Sequence, residues 1–142
     1  MGFRPMNETP EDLAVEKTAA ELLCKAWDAE VCKLSPMLYK IDWAFYRDGK
    51  LKAFVEFKRR SKKIDPLLIA AAKYTQLLEL SRITGLPCLL VVEWPDGLWY
   101  HEVEHPVQLP LDLRMGGNSR GQNGDFEPVI YIPISEFIRV NL

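Results

Sequence analysis

The 142-residue sequence has no apolar run of 18 residues and no signal-peptide-like apolar segment near its start. A membrane-spanning helix is thereby excluded, and the expected location is the cytoplasm. It has only three cysteines, Cys24, Cys32 and Cys88, an odd number without paired metal-ligand spacing. A disulfide framework and a structural zinc site are both set aside, and the thiols read as reduced core or helix residues. It lacks an excess of positive charge: the formal net charge is -2, which argues mildly against a nucleic-acid partner. Internal repeats and low-complexity tracts are absent too. What remains is a chain 48% hydrophobic, enough for one domain with a sizeable core over 1–142.

The most informative stretch is Tyr39–Arg60, YKIDWAFYRDGKLKAFVEFKRR. It reads as two strands meeting at Asp48-Gly49. Tyr39, Ile41, Trp43 and Phe45 alternate with Lys40, Asp42, Ala44 and Tyr46; Leu51, Ala53, Val55 and Phe57 alternate with Lys52, Phe54, Glu56 and Lys58. Period-two patterning marks a half-buried sheet, with the odd-numbered set facing a core. On the even-numbered face, Lys40, Asp42, Glu56 and Lys58 crowd the end away from the turn. Register decides whether the two acids meet. A two-residue Asp48-Gly49 loop sets Asp42 opposite Val55. A three-residue loop, Arg47-Asp48-Gly49 with Gly49 left-handed in a bulge, restores the match and is the expected turn.

Around this hairpin the chain reads as follows. Residues 1–8 form a loose leader. Thr9 caps a helix with Pro10 at its first position, running to about Val31, with a stripe through Leu13, Ala20, Leu23 and Trp27. Glu16 falls on that stripe, so it needs a cation or a hydrogen-bonded partner. Val31–Leu34 leaves room for at most a very short strand. Asp65-Pro66 repeats the cap-then-proline signal, predicting a helix over 66–84 stopped by Gly85, with Ala71, Tyr74 and Leu78 buried. Pro87–Trp94 and Leu98–Val103 make a second hairpin. Residues 105–127 are an irregular loop, MGGNSRGQNGD (115–125) included, and Val129–Ile132 is a final strand before a helical turn near 135–138. The expected architecture is α/β: a mixed sheet flanked by helices in the order α-β-β-α-β-β, with the motif-bearing core in 11–94.

Two carboxylates and a lysine converging at a sheet end suit magnesium, which takes one or two carboxylates plus water and substrate phosphate. The bland alternative is an exposed cross-strand salt bridge. It is disfavoured by the apolar strands around the acids, by Glu16 upstream, and by the basic run Lys58, Arg59, Arg60, Lys62 and Lys63 that follows. Asp42, then Glu56-Phe57-Lys58 after a short hairpin, with Glu16 upstream and Lys73, Tyr74 and Gln76 downstream, resembles the PD-(D/E)XK nuclease superfamily over about residues 11–94. That group includes restriction enzymes, Holliday-junction resolvases and virus-type replication-repair nucleases. The resemblance implies a restriction-endonuclease-like fold and a magnesium-dependent deoxyribonuclease, with manganese as substitute ion. It casts Asp42 and Glu56 as metal ligands helped by the Phe57 backbone carbonyl, Lys58 as catalytic lysine, and Glu16 as an outer acid for a second ion. Arg59, Arg60, Lys62, Lys63, Lys73 and Gln76 become DNA contacts. Ile41 stands where the motif's proline would be. The resemblance implies DNA as the partner rather than a membrane, and branch or end specificity would require a homodimer or the 105–127 loop. The rival from another class is a non-catalytic nucleic-acid-binding or assembly module that retains the fold.

One motif is a decoy. His101-Glu102-Val103-Glu104-His105 spells HExxH, the zinc-peptidase signature, which works only on a helix. Here the histidines fall on strand-like sequence followed by Pro106, where they would stand about 13 Å apart. They read as surface hairpin residues.

Overall fold

The computed structural model describes residues 9–34, 41–103, 112–116 and 127–142. Helix α1 spans Pro10–Trp27 and opens as its sequence dictates. The Thr9 hydroxyl accepts from the Asp12 N–H at 3.0 Å, and the Asp12 carboxylate accepts from the Thr9 N–H at 3.1 Å. This reciprocal box satisfies two of the donors that a helix start leaves unpaired. The helix ends four residues before the expected Val31, because Asp28 turns left-handed (φ 48°). Arg47 fastens that end, donating from Nε to the Asp28 carbonyl at 2.7 Å and from Nη2 to that of Trp27.

The residues thus released form β1, Glu30–Lys33, the short strand for which the sequence left so little room. It lies at the edge of a six-stranded sheet in the order β1-β2-β3-β5-β6-β9. The other strands are β2 (Trp43–Arg47), β3 (Lys50–Arg59), β5 (Cys88–Trp94), β6 (Gly97–Val103) and β9 (Ile138–Arg139). Neighbours run antiparallel except β3 and β5, which are parallel. Cys32 sits exposed on β1, neither core nor helix as expected.

The hairpin matches even-numbered with even-numbered residues near the acids, as expected, but it does so by a different turn and with the strands shifted by two residues from the pairing that a 47–49 loop gives. Arg47 pairs with Lys50 and Tyr46 with Leu51, so the loop is the two-residue Asp48-Gly49. Both residues have positive φ (51° and 71°), as the mirror-image turns that suit twisted hairpins require. The register then slips: Phe45 pairs with Ala53, Ala44 with Phe54 and Trp43 with Val55. Lys52 is therefore the extra residue, in a bulge within the strand rather than in the loop. Leu51, on the turn side of that slip, is exposed instead of sharing the core face.

Both faces of the sheet are covered. Ala19, Ala20 and Leu23 of α1 pack on Trp43, Phe45, Val55, Val91 and Leu98. Leu13, expected on that stripe, is exposed. The other face, with Ala44, Phe54, Leu90, Val92 and Trp94, packs on Tyr74 and Leu77 of helix α2, Ala71–Thr84. Gly85 ends α2 in the left-handed conformation (φ 69°), as expected. Its start is five residues later than the expected Pro66. Leu67–Ala70 is instead strand β4, with Leu67 and Ile69 buried and Leu68 exposed. The Asp65 carboxylate accepts from the Ile134 N–H at 3.0 Å rather than capping a helix. Strand β4 belongs to a second, three-stranded sheet in the order β4-β8-β7, formed with β7 (Asp112–Gly116) and β8 (Glu127–Ile132). So the expected loop contains a strand, while 104–111 and 117–126 lie outside the described residues. A 3₁₀ turn at Ile134–Glu136 precedes β9.

Among the described residues no helix is long and apolar enough to cross a membrane. Of the HExxH pair, His101 is buried on β6 rather than on the surface, and its Nδ1 lies 3.0 Å from the Glu136 carbonyl. His105 is outside the described residues.

Candidate active site

Glu56 sits on β3, the strand with its hydrogen-bonded neighbours on both sides, and is only 2% exposed. Asp42 stands one residue before β2, at the place where β3 loses its neighbour on that side. There its Oδ2 accepts from the Phe57 backbone N–H at 2.8 Å, and its backbone carbonyl accepts from the Leu34 N–H at 2.9 Å. A strand ending beside a continuing one thus puts a carboxylate where a ladder carbonyl would otherwise lie. The bulge at Lys52 brings this about, because it keeps Asp42 level with Glu56.

Two ammonium groups meet at Glu56 Oε1: Lys58 Nζ at 3.6 Å, from the same strand, and Lys73 Nζ at 3.4 Å, from α2. The second oxygen, Glu56 Oε2, is buried and has no partner among the described residues. Burial pushes the Glu56 carboxyl up to about 7, the Asp42 charge adds to this, and the two lysines oppose it. Asp42 is raised too, chiefly by burial and also by Glu16; the Phe57 N–H and the lysines pull it down. Two neighbouring carboxylates that are each disfavoured as anions despite two lysines form a site short of positive charge.

Glu16 meets the requirement set by its sequence position. Its Oε1 accepts from Lys33 Nζ at 3.0 Å and from the Trp43 indole N–H at 2.9 Å. Its charge acts on Asp42, yet it does not join the other two acids in one cage. Among the described residues no three His, Cys, Asp or Glu side chains are grouped to hold an ion. Lys33 and Trp43 were invisible as partners in the sequence. A cation was required, but nothing local said that a four-residue edge strand would deliver it.

The remaining candidates separate. Lys73 points at Glu56, while Gln76, one turn along α2, has its Oε1 buried without a partner among the described residues. Arg59 Nε pairs with Glu93 at 3.4 Å and stays largely exposed. Arg60 donates from Nη1 to the Arg59 carbonyl at 3.1 Å, and Lys62 is exposed. Lys63 is not free for a phosphate: its ammonium lies 2.8 Å from Asp96 and 3.8 Å from the centre of the Trp99 ring.

No curated protein matches the sequence. Among solved structures, the Holliday junction resolvase Hjc of the archaeal hyperthermophile Archaeoglobus fulgidus superposes over 92% of each chain. The TM-score is 0.57 at 15% identity, a likeness of fold, and it makes this α/β sandwich restriction-endonuclease-like. A family model described as "Phage putative PDDEXK endonuclease" matches residues 2–140. With a match of that extent, the chain belongs to the phage PD-(D/E)XK endonuclease family.

Proposed function

We propose that this protein is a metal-dependent nuclease that hydrolyses DNA phosphodiesters in the cytoplasm. The observation that carries the reading is the acid pair of half-buried Asp42 and buried Glu56, both raised, with Glu56 Oε2 unpartnered among the described residues and lysines on Oε1. Such a donor set fits a hard divalent cation that keeps most of its ligands as water and phosphate oxygen. Asp42 and Glu56 would hold it, with the Phe57 backbone carbonyl, and Glu16 would act from outside through a bound water. Magnesium in that place, or manganese, supplies an activated water and polarises the phosphodiester.

The chain's own groups do the rest. Lys58 shares the Glu56 carboxylate, so its ammonium stands beside any group that carboxylate holds. There it orients the attacking water and offsets negative charge on the phosphoryl oxygens. Lys73 offsets charge from the α2 side. Arg59, Arg60 and Lys62 bind the DNA backbone electrostatically, which makes binding salt-sensitive and largely independent of sequence.

The test is incubation with supercoiled and branched DNA in magnesium, manganese or EDTA. Cleavage is expected with either ion and none with EDTA. Lys58→Ala should lose cleavage while still binding DNA. A wild-type protein that binds DNA but cuts none of these substrates with either ion is a binding module, and the proposal then fails.

A further inference from the structure

The loop that follows β3 is fastened at three points. Residues 61–66 are exposed between β3 and β4, yet the loop is tied to the body at the Arg60 backbone and at the Lys63 and Asp65 side chains. Arg60 enters with its N–H on the Glu93 carbonyl at 2.9 Å. The Lys63 ammonium is held by Asp96 at 2.8 Å and lies over Trp99 at 3.8 Å, and Trp99 in turn donates its indole N–H to Asp96 at 3.0 Å. Asp65 accepts from the Ile134 N–H at 3.0 Å. Between these ties, Lys62 and Ile64 are left outward, and Ile64 is 64% exposed.

A single exposed isoleucine is ordinary. One held outward on a loop fastened on both sides of it, next to a lysine and downstream of a basic strand end, is a preformed projection. Its ordering costs are met before anything binds. Ile64 lies six chain steps beyond Lys58, at most about 22 Å, which is less than one duplex turn of about 34 Å. The projection is therefore within one duplex turn of Lys58. Apolar wedges beside cations are what unstack a base step, and unstacking is easiest where the stack is already broken.

We infer that the 60–65 loop is a wedge for DNA with an interrupted base stack, such as a nick or a branch. Ile64 enters the open step, Lys62 holds the adjoining phosphate, and Lys63 keeps the loop in place without touching DNA. This rests on the nuclease reading for its substrate and names the substrate class. It places discrimination on this loop rather than on a dimer or on 105–127.

The experiment uses nicked and continuous duplexes of one sequence, with 2-aminopurine stepped across the nick. Calcium replaces magnesium, so that binding is read apart from cutting. The wild-type protein is expected to raise the fluorescence of one position of the nicked duplex. Ile64→Ser should abolish that rise and weaken nicked-duplex binding about tenfold, the order expected for losing one buried isoleucine, while continuous-duplex binding is unchanged. Ile64→Leu should behave as wild type. Lys62→Ala should lower the slope of log affinity against log salt by about one, whereas Lys63→Met should mimic Ile64→Ser with that slope unchanged. Ile64→Ser opening the nick like wild type, or losing both duplexes equally, overturns the inference. A wedge signal without any cleavage in magnesium or manganese would remove the nuclease reading and leave the wedge; cleavage without the signal does the reverse.

Discussion

Replacing Glu56 by glutamine should make the metal-free protein more stable and the enzyme inactive. The folded state holds the Glu56 proton up to about 7, against an ordinary 4.5. Between those values the folded chain binds more protons than the unfolded one, so stability falls as pH rises from about 4.5 to about 7 and is level above that. The whole difference corresponds to about 3 kcal/mol at alkaline pH. Glutamine keeps the shape and removes the buried charge, at the cost of an anion partner for Lys58 and Lys73. The raised value already includes what those lysines give back. Glu56→Gln is therefore expected to melt higher than wild type in EDTA at pH 8, by about 10 °C if a chain of this size gains roughly 3 °C per kcal/mol. The gap should shrink at pH 5, where wild-type Glu56 is protonated in the folded state. Magnesium should narrow the gap at pH 8, because only the wild type gains binding energy from the ion. Melting curves at pH 5 and pH 8, with and without magnesium, decide it. A glutamine variant that melts below wild type at pH 8 in EDTA, or a gap that ignores pH, would refute the reasoning.

Lys73→Met removes a charge that holds Glu56 down, so the acid limb of metal binding should move to higher pH, as titration calorimetry at pH 6.5 and pH 8.5 can show. Glu16→Ala should cost about 1–3 kcal/mol in urea unfolding, because a buried indole N–H and Lys33 lose their acceptor; Glu16→Gln, which still offers a carbonyl oxygen to Trp43, should cost less. Deleting Lys52 straightens the ladder without moving Asp42 relative to Glu56, so cleavage rates should stay within a few-fold of wild type. Loss of cutting in a folded deletion variant would show that the bulge does more than absorb one residue.

The acid pair was legible because alternation is local. Eight residues on either side of Asp48-Gly49 carry the face of every side chain, and the need to match apolar with apolar demanded one extra residue somewhere. Where that residue went was not legible. The strand twist favours a two-residue turn with both residues left-handed, which pushes the excess into the ladder at Lys52. Partners from far along the chain defeated local signals elsewhere. Asp65-Pro66 has the same form as Thr9-Pro10, yet only the second begins a helix. Leu67–Ala70 pairs residue by residue with 129–132, and Ile134 claims the Asp65 carboxylate. Composition near Pro66 holds no trace of either.

The same distinction separates the site residues. Glu16 announced a need, since a carboxylate on an apolar stripe must be answered, but its answer came from an edge strand and an indole across the sheet. Lys63 reads in sequence as one more cation in a basic run; only the β5–β6 turn, 33 residues later, shows it bound to Asp96. Charge that looks uniform along the chain is thus divided by the fold. Lys58 and Lys73 serve the acids, Lys63 serves the loop, and Lys62 faces solvent. On the proposed reading, a chain with net charge -2 would grip a polyanion only through the cations that its own acids leave over, and Lys63 is not one of them because Asp96 holds it. Salt dependence should therefore report few phosphate contacts, with a slope near -3 if Arg59, Arg60 and Lys62 are the ones that count. A slope twice as steep would mean that further cations reach the DNA.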